Sequence, residues 1–148
     1  MHDMPEIKPG QSIELLKELH ILTRDGKLNQ DSRRKLKQIY HLYQFIEPLL
    51  KEVQKDHPAI QLVDHGAGKS HLGFILHDLF FKQHAPAGRI HGIETRDELV
   101  MSSRRLADKL GFSAGMRFQN LTVAESITSD RLPERIDMLA RKPLSDRR

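Results

Sequence analysis

The segment Leu62-Val63-Asp64-His65-Gly66-Ala67-Gly68-Lys69-Ser70 restricts what this chain can fold into more than any other. Leu62 and Val63 suit a short buried strand, which Asp64 closes with an acid. Gly66 and Gly68 then permit backbone angles, and a closeness to ligand, that a Cβ would forbid. From Leu72 the apolar residues recur at helical spacing, as Leu72, Ile75, Leu76 and Leu79. Strand, glycine turn and helix in that order build a nucleotide-type pocket at the carboxyl end of a parallel strand.

Three ligand chemistries compete for such a turn. Gly66-Ala67-Gly68-Lys69-Ser70 imitates the end of the phosphate-binding motif G-x-x-x-x-G-K-[ST]. The first glycine of that motif falls on Val63, however, and Asp64 would set a carboxylate in the phosphate cradle. A dinucleotide fingerprint, G-x-G-x-x-G, needs a third glycine where His71 stands, and leaves an acid unexplained beside a pyrophosphate. S-adenosyl-L-methionine accounts for the acid, because its methionine end carries an ammonium and its sulfonium adds a second positive charge. Asp64 can hold the ammonium directly or through water, and the glycines let the backbone approach the ribose and amino-acid moiety. Such a ligand calls for a second acid at the end of the next strand, as acceptor for the ribose hydroxyls. Arg89-Ile90-His91-Gly92-Ile93-Glu94 supplies it, 26 residues beyond Gly68, near the roughly 20-residue offset of a ribose-binding acid.

Val63-Asp64-His65-Gly66-Ala67-Gly68 and Gly92-Ile93-Glu94 together resemble the first two motifs of the class I S-adenosylmethionine-dependent methyltransferases. More narrowly, Asp-x-Gly-Ala-Gly-Lys-x-x-Leu-Gly, from Asp64 to Gly73, is similar to a subfamily that includes the ribosomal RNA adenine dimethylase-domain proteins. The resemblance runs over about residues 30 to 139. It implies an α/β fold: a Rossmann-like parallel sheet, partial at three to four strands, preceded by two N-terminal helices. It also implies S-adenosyl-L-methionine as cofactor, held by Asp64, His65, Gly66, Ala67, Gly68 and Glu94. The adenine amine would be met from the loop after the third strand, where Asn120 is chosen over Thr122 and Glu125. His65 would contribute backbone and no ring chemistry. The pattern departs at Ser70, where many members of the wider family carry a third glycine; its hydroxyl is expected to cap the helix instead. Blander roles exist for each residue: Asp64 could pin the turn, Glu94 could favour a helix dipole, and Lys69 reads as an exposed first-turn lysine.

The rest of the chain fits around this pocket. Ser12 to Leu22 predicts an amphipathic helix ended by Asp25-Gly26. A longer helix is expected from Asp31 to about Lys55, with Leu36, Ile39, Tyr40, Leu42, Tyr43, Ile46, Leu49, Leu50 and Val53 on its apolar face. Pro48 inside that pattern predicts a kink or a break. Then follow a strand over 60–64, a helix over 69–83, a strand over 89–94, a helix over 96–110 and a strand near 116–121. Leu99, Leu106 and Leu110 are expected to face inward, with Gly111 stopping the helix. The alternation implies a parallel sheet with right-handed crossovers. Leu132 to Leu139 resembles the approach to a fourth strand, after which residues 140–148 turn polar and basic. The expected organisation is a helical segment over 1–57, the cofactor-binding half of a methyltransferase domain over 58–139, and a basic tail over 140–148. The abrupt change after Leu139 suggests a truncated product lacking the acceptor-side motif.

Composition narrows the alternatives. With no cysteine the chain can form neither disulfides nor a cysteine metal site, and a reducing cytoplasm is the expected location. No run approaches the roughly 18 apolar residues of a membrane span. None of the nine histidines forms an H-x-x-x-H pair or H-E-x-x-H, so no metal site is expected. A net charge of +4 leans toward an anionic partner, though on charge alone a solvated helix face accounts equally well for the basic run. The family resemblance makes RNA the expected partner, through Arg33, Arg34, Lys35 and Lys37. The scarcity of aromatics, 5% with no Trp, argues against a base-stacking platform. Two other classes remain: a noncatalytic RNA- or protein-binding module working through the basic helices, and a nucleoside-triphosphate-binding protein built on the incomplete P-loop.

Overall fold

A computed structural model describes residues 6–141. Two helices come first, α1 (Ile13–Glu18) and α2 (Gln30–Asp56). They lead into an alternating series: β1 (Gln61–His65), the helix α3, β2 (Arg89–Glu94), α4 (Asp97–Leu110), β3 (Met116–Asn120), α5 (Val123–Thr128) and β4 (Met138–Arg141). Helix α3 is α-helical over His71–Leu76, π-helical over His77–Phe81 and α-helical again over Lys82–His84. The four strands form one sheet in the order β3-β2-β1-β4, and every neighbouring pair is parallel. This is the α/β, Rossmann-like sheet of three to four strands expected from the sequence. Among the described residues no helix is long and apolar enough to cross a membrane.

Strand alternation divides the core unequally. Leu62, Ile90, Met116 and Phe118 face one side of the sheet, where they pack with Phe74, Leu76, Phe80 and Val100 and with Leu15, Leu16, Leu36 and Leu50 of the N-terminal helices. Val63, Ile93 and Leu121 face the other side, where Leu132 packs against them. The N-terminal helices and the first two crossover helices therefore share one apolar cluster with a single sheet face. Gly92 admits Phe118 to this face: a Cβ there would stand 2.9 Å from the Phe118 ring.

Several element boundaries differ from expectation for identifiable reasons. α1 ends at Glu18 because His20 turns left-handed, with φ 59. The amides of Ile21 and Leu22 then fold back onto the Leu16 carbonyl. Leu19, Ile21 and Leu22 stay buried, so apolar spacing continues across a turn that it cannot reveal. Pro48 does not break α2. It lies on the solvent face, where a carbonyl losing its helical donor can turn to water. The inward stripe of α2 is narrower than the apolar residues suggest: Leu36, Tyr43 and Leu50 are buried, whereas Leu42 and Leu49 are more than half exposed. In α4, Val100, Ser103 and Ala107 form the buried row, with Leu106 and Leu110 at its margin. Gly111 ends that helix in the left-handed conformation, as its position suggested.

β4 contradicts the expectation that the ordered pattern stops at Leu139. Ala140 pairs with Asp64 and Arg141 with His65, which extends the strand into the basic segment. Only alternate residues of β4 are even half-buried, so it lacks the continuous apolar run that marks a central parallel strand. The rest of the expected tail, residues 142–148, lies outside the described residues.

Two buried imidazoles give the fold a pH dependence. His77 and His91 are each 7% exposed, and neither Nδ1 has a hydrogen-bond partner. Burial pushes both well below the ordinary 6.5, to about 4, helped by Lys82 near His77 and by Arg117 and Arg89 near His91. The unfolded chain takes up protons near pH 6.5 and the folded one only near 4. Stability is therefore full above 6.5 and falls as pH drops toward 4. Each histidine should cost about 2.5 kcal/mol at pH 4.5 relative to pH 7.5. Urea denaturation across that range measures it, and His91→Gln should remove about half of the loss; a flat profile would contradict the assignment.

Candidate functional site

The cleft lies where the chain reverses direction across the sheet. From β1 the chain moves outward to β2 and β3, then returns to place β4 on the opposite side of β1. The connection leaving β1 packs on one face of the sheet and the connection leaving β3 on the other. The strand order reverses between β1 and β4, the place where a crevice opens beyond the carboxyl ends of the strands. A cleft of about 860 Å³ occupies this place. Asp64, Gly66, Ala67 and Gly68 line it from the end of β1, Arg96 and Leu99 from beyond β2, and Leu139, Ala140 and Arg141 from β4. Lys69, His71 and Leu72 complete the wall.

Three left-handed residues shape the turn: Gly66 at φ 67, Gly68 at φ 59 and Ser70 at φ 64. A Cβ at Gly66 would meet nothing within 4 Å, so the turn there is an open cradle facing space that a ligand can fill. The Ala67 amide donates to the Ile93 carbonyl at 2.9 Å and the Gly68 amide to Glu94 Oε1 at 2.9 Å. The loop after β1 is thus fastened to the end of β2. Ser70 does not cap α3 as expected. It stands in the left-handed conformation that favours glycine, and its hydroxyl pairs with Ser103 Oγ at 3.1 Å in the interior. That buried pair gives a physical reason for serine at a position where glycine would be unstrained.

Glu94 accepts from three groups at once, two of them backbone amides. Its Oε1 accepts from Gly68 N, and its Oε2 accepts from Arg96 N at 2.9 Å and from Arg96 Nε at 2.8 Å. Arg96 Nη2 reaches Oε1 at 3.4 Å. Burial works to raise its pKa. The hydrogen bonds from the Arg96 side chain and amide and from Gly68 outweigh burial and leave the carboxyl at about 2. Glu94 is an anion at any physiological pH. Asp64, 8% exposed, stands across the glycine turn in the cleft wall.

The remaining expected residues fall nearby in different roles. The His65 side chain is buried, with Nε2 3.1 Å from Ser126 Oγ. Burial and Arg141 lower its pKa. Asn120 donates from Nδ2 to the carbonyls of Thr95, at 2.9 Å, and Glu94, at 3.3 Å, so it secures the end of β2 from the end of β3. Thr122 and Glu125, the other candidates for adenine recognition, form a reciprocal cap on α5. Sequence reasoning missed Arg96, Leu99 and Arg141. Arg96 had a legible signal, since it follows the second acid by two residues, where the chain turns into the next helix.

A parallel sheet with an acid near the carboxyl end of each of its first two strands, joined by a glycine turn beneath a cleft at the strand-order switch, defines a Rossmann-like domain. Residues 34–141 match the family model described as a methyltransferase domain. The chain belongs to this methyltransferase-domain family, and the match covers well over half its length. No curated protein matches the sequence.

Because the cradle at Gly66 is free of clash, Gly66→Ala isolates the backbone cost of its left-handed angle. The expected loss is about 1–2 kcal/mol of stability, from that strain alone, measured by urea denaturation with the sheet's circular dichroism unchanged. A loss of 4 kcal/mol or more would mean that the turn is packed rather than open.

Proposed function

We propose that this domain binds S-adenosyl-L-methionine in the cleft at the ends of β1 and β2, and that it serves methyl transfer to RNA. The observation that carries the cofactor reading is the joining of the two strand ends: Glu94 receives the Gly68 amide while Asp64 lines the same cleft. An acid in the wall, an open glycine cradle and a second acid beside it suit a ligand with an ammonium, a sulfonium and a ribose. Asp64 would meet the ammonium, the backbone at Gly66 and Gly68 the amino-acid moiety, and Glu94 the ribose. Lys69 and Arg141 line the cleft as well and provide cations for the ligand's carboxylate. Asn120, occupied with the end of β2, would act on the adenine side by fixing the strand end and offering its remaining amide oxygen.

The sulfonium supplies an activated methyl donor, so the residues of this chain contribute alignment and exclusion of water rather than activation. Leu72, Leu99 and Leu139 are the apolar components of the wall and serve the second purpose.

The RNA reading is supported by basic residues that approach the cleft from two sides. Arg33, Arg34, Lys35 and Lys37 occupy the first turns of α2. Lys35 lines a groove that meets the cleft at His71 and Leu72. Arg33 is paired with Glu6, and Arg34 and Lys35 both with Asp31. These pairs are exposed and weak enough for phosphate to displace, and Lys37 on the same helix adds a fourth cation. A second depression, lined by His20, Lys69, Arg105 and Lys109, adjoins the cleft through Lys69, His71 and Leu99. The narrower resemblance to ribosomal RNA adenine dimethylase-domain proteins agrees in substrate class.

Calorimetric titration with S-adenosylhomocysteine tests the cofactor reading. The chain should bind it, Asp64→Ala should weaken binding at least tenfold, and ATP with magnesium should not bind. Saturation by ATP–magnesium instead would replace this reading with a triphosphate site. For the acceptor, RNA affinity should fall steeply with added salt. Lys35→Glu with Lys37→Glu should weaken RNA binding tenfold or more and leave S-adenosylhomocysteine affinity unchanged. Equal RNA binding by that variant would remove RNA as the acceptor.

A further inference from the structure

A carboxylate offers about four lone-pair directions, two on each oxygen. At Glu94, Gly68 N takes one on Oε1 and Arg96 N takes one on Oε2, and both donors belong to the backbone. The two that remain, one on each oxygen, are covered by the Arg96 fork, Nε on Oε2 and Nη2 on Oε1. A vicinal diol presents two donors in the same side-by-side arrangement. The guanidinium and a ribose diol therefore compete for the same pair of acceptor positions, and the backbone bonds to Glu94 can persist whichever occupies it.

The two contacts also differ in permanence. The Glu94 side chain is 6% exposed and its backbone donors are fixed by the glycine turn and the start of α4, whereas the Arg96 side chain is 60% exposed. Glu94 is a fixed acceptor and Arg96 a movable donor. The Arg96 Nη2 bond, at 3.4 Å, is the longest of the set. Glu98, in the first turn of α4, also attracts Arg96 and offers a second carboxylate on the solvent side.

We infer that Arg96 is an affinity-setting residue of the cofactor site, whose guanidinium competes with the ribose 2′,3′-diol for Glu94 and must swing out for the ligand to bind. This inference rests on the proposed S-adenosyl-L-methionine site. It assigns Arg96 the opposite sign from a residue that merely holds Glu94 in place: removing the guanidinium strengthens binding instead of weakening it. Exposed ion pairs are individually weak, so the competition sets affinity over a limited range and does not close the site.

The test uses the full chain, titrated calorimetrically with S-adenosylhomocysteine and with its 2′,3′-dideoxy analogue. Arg96→Met keeps the aliphatic stem and removes the fork; Arg96→Lys keeps the charge without the paired donors. Both variants should melt within a few degrees of the parent chain, since the side chain is largely in solvent. Arg96→Met should bind S-adenosylhomocysteine three- to tenfold more tightly, Arg96→Lys should show a smaller gain, and neither should gain affinity for the dideoxy analogue. Weaker or unchanged binding of S-adenosylhomocysteine by Arg96→Met would overturn the competition, as would an equal gain for the dideoxy analogue. Failure of the parent chain and both variants to bind S-adenosylhomocysteine would instead overturn the cofactor site on which the inference stands.

Discussion

The geometry of the cleft depends on one carboxylate. Glu94 ends β2, yet its Oε1 accepts the amide of Gly68, a residue of the turn after β1. The turn could not hold its shape through propensity alone, because glycines at φ 67 and φ 59 have wide conformational freedom once unfolded. The bond to Glu94, with that from the Ala67 amide to the Ile93 carbonyl, converts this freedom into a defined cradle. A charged acceptor suits the task, since hydrogen bonds to ionised groups are about twice as strong as neutral ones. The carboxyl, held at about 2, never loses that charge in the physiological range.

Parallel pairing puts this carboxylate within reach. Asp64 pairs with Gly92 and His65 with Ile93, so β1 and β2 end nearly level and the turn leaving one passes over the end of the other. Gly92 matters in the same pairing. Its missing side chain lets the Phe118 ring lie against β2, where Phe118 also stacks on Phe74 at 5.8 Å between ring centres. The register that aligns the acids is thus fixed by aromatic packing and by the glycine turn together. A slip of one residue would invert both faces.

Legibility followed from how local each determinant is. β1, β2 and α4 could be read because their signals, an apolar run closed by an acid and a helix closed by Gly111, lie within a few residues of one another. Asp64, Gly66, Gly68 and Glu94 were visible for the same reason, as motifs with a defined spacing. The end of α1 could not be read: Leu19, Ile21 and Leu22 are buried by a chain reversal, and burial alone does not distinguish a helix from a turn. Ser70 misled because serine before a helix usually caps it, whereas here a distant partner, Ser103, takes the hydroxyl. β4 was cut short because Ala140 and Arg141 carry no strand pattern of their own and extend along β1 through pairing with it. Asn120 was found as a residue of the region, but its donors point back to the β2 end, a direction only the fold supplies.

The charge balance of the cleft joins these observations. Its wall carries Asp64 but also Lys69, Arg96 and Arg141, a surplus of cations that would oppose a cationic ligand if all were free. Arg96 is not free, because Glu94 neutralises it, and the pair together adds little net field. On the proposed reading, the ligand brings two positive charges and one carboxylate. Asp64 then meets the ammonium while Lys69 or Arg141 meets the carboxylate, and charge is matched group by group rather than by the cleft as a whole. Displacing Arg96 toward Glu98 would keep that cation paired at the solvent edge, where water screens it, and would leave the buried Glu94 to neutral hydroxyl donors. An arginine beside the ribose acid therefore carries a moderate cost to affinity, and it spares the unliganded protein a buried anion with only two backbone partners.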